Sequence, residues 1–136
     1  MKILFLLVLL SIGYAIEAAN PQKPNLKNGT FIGESRSHYT DEPYWGKVTL
    51  QIRNGQIADV KFQIRDSAKH EPFNEKYEVH FANIPEYVQQ CRNDWEGVQN
   101  YPKEFLKKQD IDQLDAVSGA TWSFNIFGSS QKCVPE

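Results

Sequence analysis

The chain is short of several things, and each shortage removes a class of protein. Its 136 residues hold two cysteines, Cys91 and Cys133, too few for a disulfide-built scaffold. No Cys-x-x-Cys pair or Cys/His spacing of a metal site occurs. The three histidines, His38, His70 and His80, stand apart among polar neighbours, and no nucleophile–base–orienter set is visible. Ser118 lacks the Gly-x-Ser-x-Gly context of a hydrolase elbow. Neither charge sign is in excess: 15 Lys and Arg stand against 17 Asp and Glu, a net charge of −2, which argues against nucleic acid as a partner. Repeats, low-complexity tracts and second-domain linkers are absent. The apolar run at residues 3–12 is too short for a comfortable membrane span.

That run does have a reading. Lys2, the apolar stretch and the small-residue exit at Ala18-Ala19 make a secretory signal peptide over residues 1–19. No Cys follows it, so a lipoprotein anchor is not expected; an uncleaved N-terminal anchor is the alternative. Residues 20–136 then form a single small domain with room for one core, exported to a periplasmic or extracellular face. In that oxidising setting Cys91 and Cys133 have two readings, one bridge tying the C-terminus to a helix or a buried thiol plus a tail thiol. Asn28-Gly29-Thr30 is a glycosylation acceptor in a eukaryotic secretory host.

Along the domain, residues 20–27 read as an extended leader and residues 30–35 as a first strand. Residues 46–53 alternate, with Val48, Leu50 and Ile52 on one face. Asn54-Gly55 is a two-residue hairpin signal, and the return strand places Ala58, Val60, Phe62 and Ile64 inward. Ile57 is out of phase, so a bulge or a register adjustment is expected near the turn. Residues 65–77 read as a long charged loop. Ile84, Val88 and Cys91 then recur at helical spacing, with Pro85 in the first turn and Asn83 as a cap. Residues 101–109 read as a second short helix with Pro102 in its first turn, and residues 122–132 as a last helix weakened by Gly128. Strands first and helices later predict an α+β fold, with helices packed on one side of a curved antiparallel sheet.

The run Asp115-Ala116-Val117-Ser118-Gly119-Ala120-Thr121-Trp122-Ser123 carries the chemistry. Small side chains let an anionic ligand approach backbone N–H groups, and a helix N-terminus adds donors and a favourable dipole. A hydroxyl there can bind a phosphate or become its covalent anchor.

In this run the chain resembles the FMN-binding domain family, whose flavinylation motif is Asp-x-x-Ser-Gly-Ala-Thr. The resemblance covers nearly the whole mature chain. Gly29-Thr30-Phe31-Ile32-Gly33 is similar to the family's opening Gly-x-Tyr-x-Gly, with Phe in the aromatic place. Asn54-Gly55-Gln56-Ile57 matches its hairpin turn, and Ile84-Pro85 its helix before the flavin site. His70-Glu71-Pro72-Phe73 departs from the family's Glu-Thr-Pro-Gly loop, so no contact is carried over from there.

The resemblance implies FMN bound by a phosphoester to Thr121. Ser118, Gly119 and Ala120 would shape the loop, and Asp115 would serve recognition or fix the loop. Trp122 and the pair Tyr44-Trp45 are the aromatic candidates for the flavin ring; core packing is the equal alternative for Trp45 and Trp122, and a partner-docking edge the equal alternative for the loop that carries Tyr44. One of Arg65, Lys69 or Lys76 would face the reduced ring. The implied partners are a flavin transferase, a membrane electron donor and an extracytosolic reductase or acceptor. With no acid–base set, an electron carrier is expected; the alternatives are a stand-alone flavin-dependent reductase and a non-redox secreted binding module.

Overall fold

A computed structural model describes residues 26–37 and 41–134. The expected signal segment and His38 lie outside them. β1 (Gly29–Arg36), β2 (Tyr44–Arg53), β3 (Gln56–Asp66) and a two-residue β4 (Glu71–Pro72) form one antiparallel sheet in the order β1-β2-β3-β4. Two helices, α1 (Pro85–Lys108) and α2 (Thr121–Lys132), follow. The architecture is the α+β fold that the order of strands and helices predicts.

The β2–β3 hairpin turns where Asn54 and Gly55 both adopt left-handed backbone, at φ 53° and 71°, as a type I′ turn requires. The predicted irregularity is present. Gln51 faces Asp59 while Ile52 faces Ile57, which leaves Ala58 as the extra residue of a bulge. This corrects the inward set: Ile57 is buried and Ala58 exposed, because the bulge restores phase in favour of the larger apolar side chain. The Gln109 side chain secures the spot from α1, accepting from the Ile57 N–H and donating to the Ile57 carbonyl, both at 2.8 Å.

The charged stretch after β3 is less irregular than expected. β3 runs on to Asp66, β4 pairs with it, and a short 3-10 helix spans Tyr77–Phe81. The two short helices expected at residues 84–91 and 101–109 are one helix of 24 residues. Pro102 removes only one backbone donor, and burial of Tyr101, Pro102 and Phe105 on the core side outweighs that loss. Pro85 opens the helix, and Ile84 rather than Asn83 precedes it, with no side-chain cap. Gln109, left-handed at φ 59°, ends it. Gly128 does not interrupt α2.

Both helices pack on the sheet face that carries Val48, Leu50, Ile52, Ile57, Val60, Phe62 and Ile64. Fully buried Phe127 of α2 sits at the centre, 5.0 Å from the Phe62 ring and 5.8 Å from that of Phe105, edge to face in both cases. Each such side chain contributes about 1.5–3 kcal/mol by leaving water. Cys91 and Cys133 are both free thiols, the first buried and the second exposed. Among the described residues no helix is long and apolar enough to cross a membrane.

Candidate functional site

The segment from Asp115 to Thr121 is a short loop that delivers the chain into α2. Asp115, Ala116, Val117 and Ser118 are exposed, Ala120 is buried, and Thr121 opens the helix with an exposed side chain. The loop's shape is set largely by α1. The Tyr101 hydroxyl accepts from the Val117 N–H at 3.0 Å and donates to the Ala120 carbonyl at 2.9 Å, drawing the loop's two ends together. Gly119 lies at φ +83°, and a Cβ on it would stand 2.7 Å from Nδ2 of Asn93. The positive φ favours glycine there, while the Asn93 side-chain end could swing aside for a Cβ.

Gln90 and Asp94, one helical turn apart on α1, hold the other side. Gln90 donates through Nε2 to the Gly119 carbonyl at 2.8 Å and to Asp94 Oδ2 at 2.6 Å. Asp94 Oδ1 accepts from the Ser123 backbone N–H at 3.0 Å and from the Ser123 hydroxyl at 2.9 Å. Ala120 offers no side-chain cap, so this buried carboxylate from a different helix caps α2 and complements its dipole.

Beside the loop a groove of about 390 Å³ opens between β2, the 3-10 helix, α1 and the start of α2. Its walls are aromatic. Trp122 meets Tyr44 edge to face at 5.0 Å and Phe73 at 5.1 Å, and Tyr44 meets Tyr77 at 6.0 Å. Phe81 and Tyr87 complete the lining, with Tyr87 largely exposed at the rim. The Trp122 indole N–H donates to Glu42 Oε2 at 2.9 Å, and the Ser37 hydroxyl donates to the same oxygen at 2.5 Å.

Behind the aromatic wall lies a buried polar chain. Tyr77 donates to Asp66 Oδ2 at 2.5 Å, and the Tyr44 and Tyr77 hydroxyls are 2.9 Å apart. Asp66 Oδ1 accepts from the backbone N–H groups of Ala68 at 2.8 Å and Lys69 at 3.0 Å. Burial acts to raise the Asp66 pKa, but the Tyr77 hydroxyl and the two backbone donors outweigh it and hold the carboxyl below its ordinary value. Burial pushes the Tyr77 hydroxyl far up, and the hydrogen bond to Asp66 adds to that; burial raises Tyr44 as well. The Cys91 thiol, also on the groove, is raised by burial and then by the nearby Asp94 charge.

The structure thus joins Trp122 and Tyr44 in one groove, which the exposed Thr121 next in sequence to Trp122 does not line, and leaves Trp45 out of it. Tyr44 turns inward; Trp45, next along the strand, points out, is 45% exposed and has the Arg36 guanidinium 5.9 Å from its ring centre. Arg65, Lys69 and Lys76 are exposed and none lines the groove. His80 pairs with Glu71 and rests on the Tyr77 ring, while His70 is exposed. Glu42, Asp66, Tyr77, Gln90, Asp94 and Tyr101 escape sequence reasoning. A Gln and an Asp four apart on a helix read as a solvated pair, and only the arrival of α2 gives them a partner.

No protein-family model and no curated protein matches the chain. Among solved structures it is similar to the CPE2226 protein from Clostridium perfringens, with a TM-score of 0.59 and 20% sequence identity over 80% of this chain and 86% of that one. A likeness at this identity shows a shared fold, with no statement about chemistry.

Proposed function

We propose that this chain carries FMN as a phosphoester on Thr121 and serves as an exported electron carrier. The observation that supports this most directly is the placement of Thr121. Its side chain is exposed at the first residue of α2, and the next residue, Trp122, lines an aromatic groove. The residues fit the group. The groove's volume lies in the range of small-molecule sites, its aromatic faces suit a flat ring, and the hydroxyl stands outside it, where a phosphate stays in water.

Asp94 bears on the covalent form of attachment. A helix N-terminus ordinarily attracts a free phosphate, but here a buried carboxylate already caps α2. A second anion held there by electrostatics alone would meet like charge. A covalent bond does not depend on that attraction, and it also keeps the cofactor from being diluted away outside the cell. A flavin transferase would use FAD as the donor: the Thr121 oxygen would bond to the FMN phosphorus as the pyrophosphate bond of FAD broke, AMP would leave, and the hydroxyl proton would go to the transferase or water. Trp122 and Tyr44 would hold the ring, and Gln90, Tyr101 and Gly119 would keep the loop in shape. Once bound, FMN supplies one- and two-electron chemistry, which suits a carrier between a membrane donor and an extracytosolic reductase or acceptor. A carrier is favoured over a complete reductase because the protons of Tyr44 and Tyr77 are engaged within the protein rather than offered to a substrate.

Co-expression of the chain with a flavin transferase tests the proposal through intact mass and in-gel fluorescence. The expected result is the mass of one FMN less one water, lost in Thr121→Val while the fold persists. Unmodified wild type, or flavin retained on the variant, overturns it; an unmodified wild type leaves a non-redox binding module as the reading.

A further inference from the structure

Asp66 accepts two backbone N–H groups on one oxygen and the Tyr77 proton on the other. Tyr77 has a single proton, so its oxygen takes the proton of Tyr44. Tyr44 therefore has only lone pairs left for the groove. Gln90 has committed Nε2 to Asp94 and Gly119, which leaves its Oε1. Trp122 has given its N–H to Glu42. Glu42 and Asp94 are acceptors throughout, and among the described residues no Lys, Arg or His lines the groove. What remains is a set of π-faces, lone pairs and two carboxylates, with the Tyr87 hydroxyl at the exposed rim and the weak S–H of Cys91 as the other donors on the wall.

We propose that this groove binds a planar aromatic ligand that is cationic or edged with N–H donors, and that it discriminates against anions of the same shape. Aromatic walls attract such a cation through their quadrupoles. The carboxylates add attraction for a cation, and for an anion they add repulsion together with acceptors that find no donor. The occupant's class follows from the groove alone and goes beyond the reading of Thr121. The N3 N–H of an isoalloxazine ring meets this description, its two flanking carbonyls do not, and other flat N–H-bearing heterocycles meet it more fully.

Asp66 sets the polarity of the chain, and substitution can reverse it. In Asp66→Asn the side-chain oxygen must stay with the Ala68 and Lys69 N–H groups, so the new NH2 faces Tyr77. Tyr77 then accepts, donates to Tyr44, and Tyr44 turns its own proton to the groove.

The test uses flavin-free protein with two flat tricyclic probes of opposite charge, proflavine and anthracene-2-carboxylate. Binding is read by calorimetric titration and by the indole N–H resonance of Trp122. Proflavine is expected to bind at least tenfold more tightly than the carboxylate and to shift the Trp122 resonance. Glu42→Gln should narrow that ratio severalfold, while Glu96→Gln, the same charge change at an exposed site, should leave it unchanged. Asp66→Asn should narrow it by strengthening the anion; if that variant does not fold, Glu42→Gln decides. Equal affinities, preference for the anion, no saturable binding, or equal effects of Glu42→Gln and Glu96→Gln would each overturn the proposal. None of these outcomes depends on whether Thr121 can be flavinylated.

Discussion

At the scale of single residues, Asp66 does the most with the least exposure. It is 1% exposed, ends β3, closes the turn at Ala68 and Lys69 and fixes the direction of the tyrosine chain. Its carboxyl is held below the unfolded value, which is about 3.9, so at acid pH the unfolded chain binds this proton more readily than the folded one. Its contribution is complete above the unfolded pKa and is lost as the pH falls through the folded pKa. Urea titrations of wild type and Asp66→Asn should therefore differ by a constant amount from neutral pH down to roughly pH 5, with the gap closing below about pH 4. A gap that widens on acidification would contradict the depressed carboxyl. Tyr77→Phe at neutral pH removes the donor to Asp66 Oδ2 and leaves a buried oxygen short of a partner. It should cost about 1–3 kcal/mol, seen as a lower denaturation midpoint with an unchanged slope.

At the scale of elements, the helices meet where α1 has no side chain. A Cβ on Gly97 would stand 2.5 Å from the Ser123 hydroxyl and 2.8 Å from the Tyr101 ring, so this glycine permits the approach that brings Asp94 to α2. Helix propensity alone favours Gly97→Ala by about 1 kcal/mol. The overlap should reverse the sign and destabilise by about 1–3 kcal/mol, and on the flavinylation proposed for Thr121 the variant should also incorporate less flavin because the loop before α2 shifts. A stabilised variant in urea titration would show that the helices part without cost. The same elements show what the sequence makes legible. The β2–β3 hairpin is readable because alternation and Asn54-Gly55 are local, and even the bulge shows as Ile57 out of phase. α1 is not readable as one helix, because Pro102 is a local stop signal and its burial against β3 is a tertiary fact. Thr121 and Trp122 stand out as neighbours in a motif. The groove does not, since Glu42, Tyr77 and Gln90 carry no pattern until β2, the 3-10 helix and α1 converge.

At the scale of the whole molecule, the groove exists only when the fold is complete. The hydrogen bond from Trp122 to Glu42 spans 80 positions of sequence, and no single hairpin or helix pair contains the site. Its integrity should therefore follow global unfolding rather than a local opening. The two cysteines measure this directly. Cys133 is exposed, whereas Cys91 is 8% exposed on the groove wall, with burial raising its thiol pKa and lowering its thiolate population. A thiol-reactive probe should modify one cysteine at the rate of a free thiol and the second far more slowly. The slow rate should climb with urea in step with the loss of far-ultraviolet circular dichroism, and Cys133→Ser should remove only the fast phase. Proflavine held in the groove should slow Cys91 further and leave Cys133 unaffected. A Cys91 that reacts rapidly in the absence of denaturant would mean that the groove opens without unfolding, and the aromatic wall would then be a moving lip rather than a fixed part of the core.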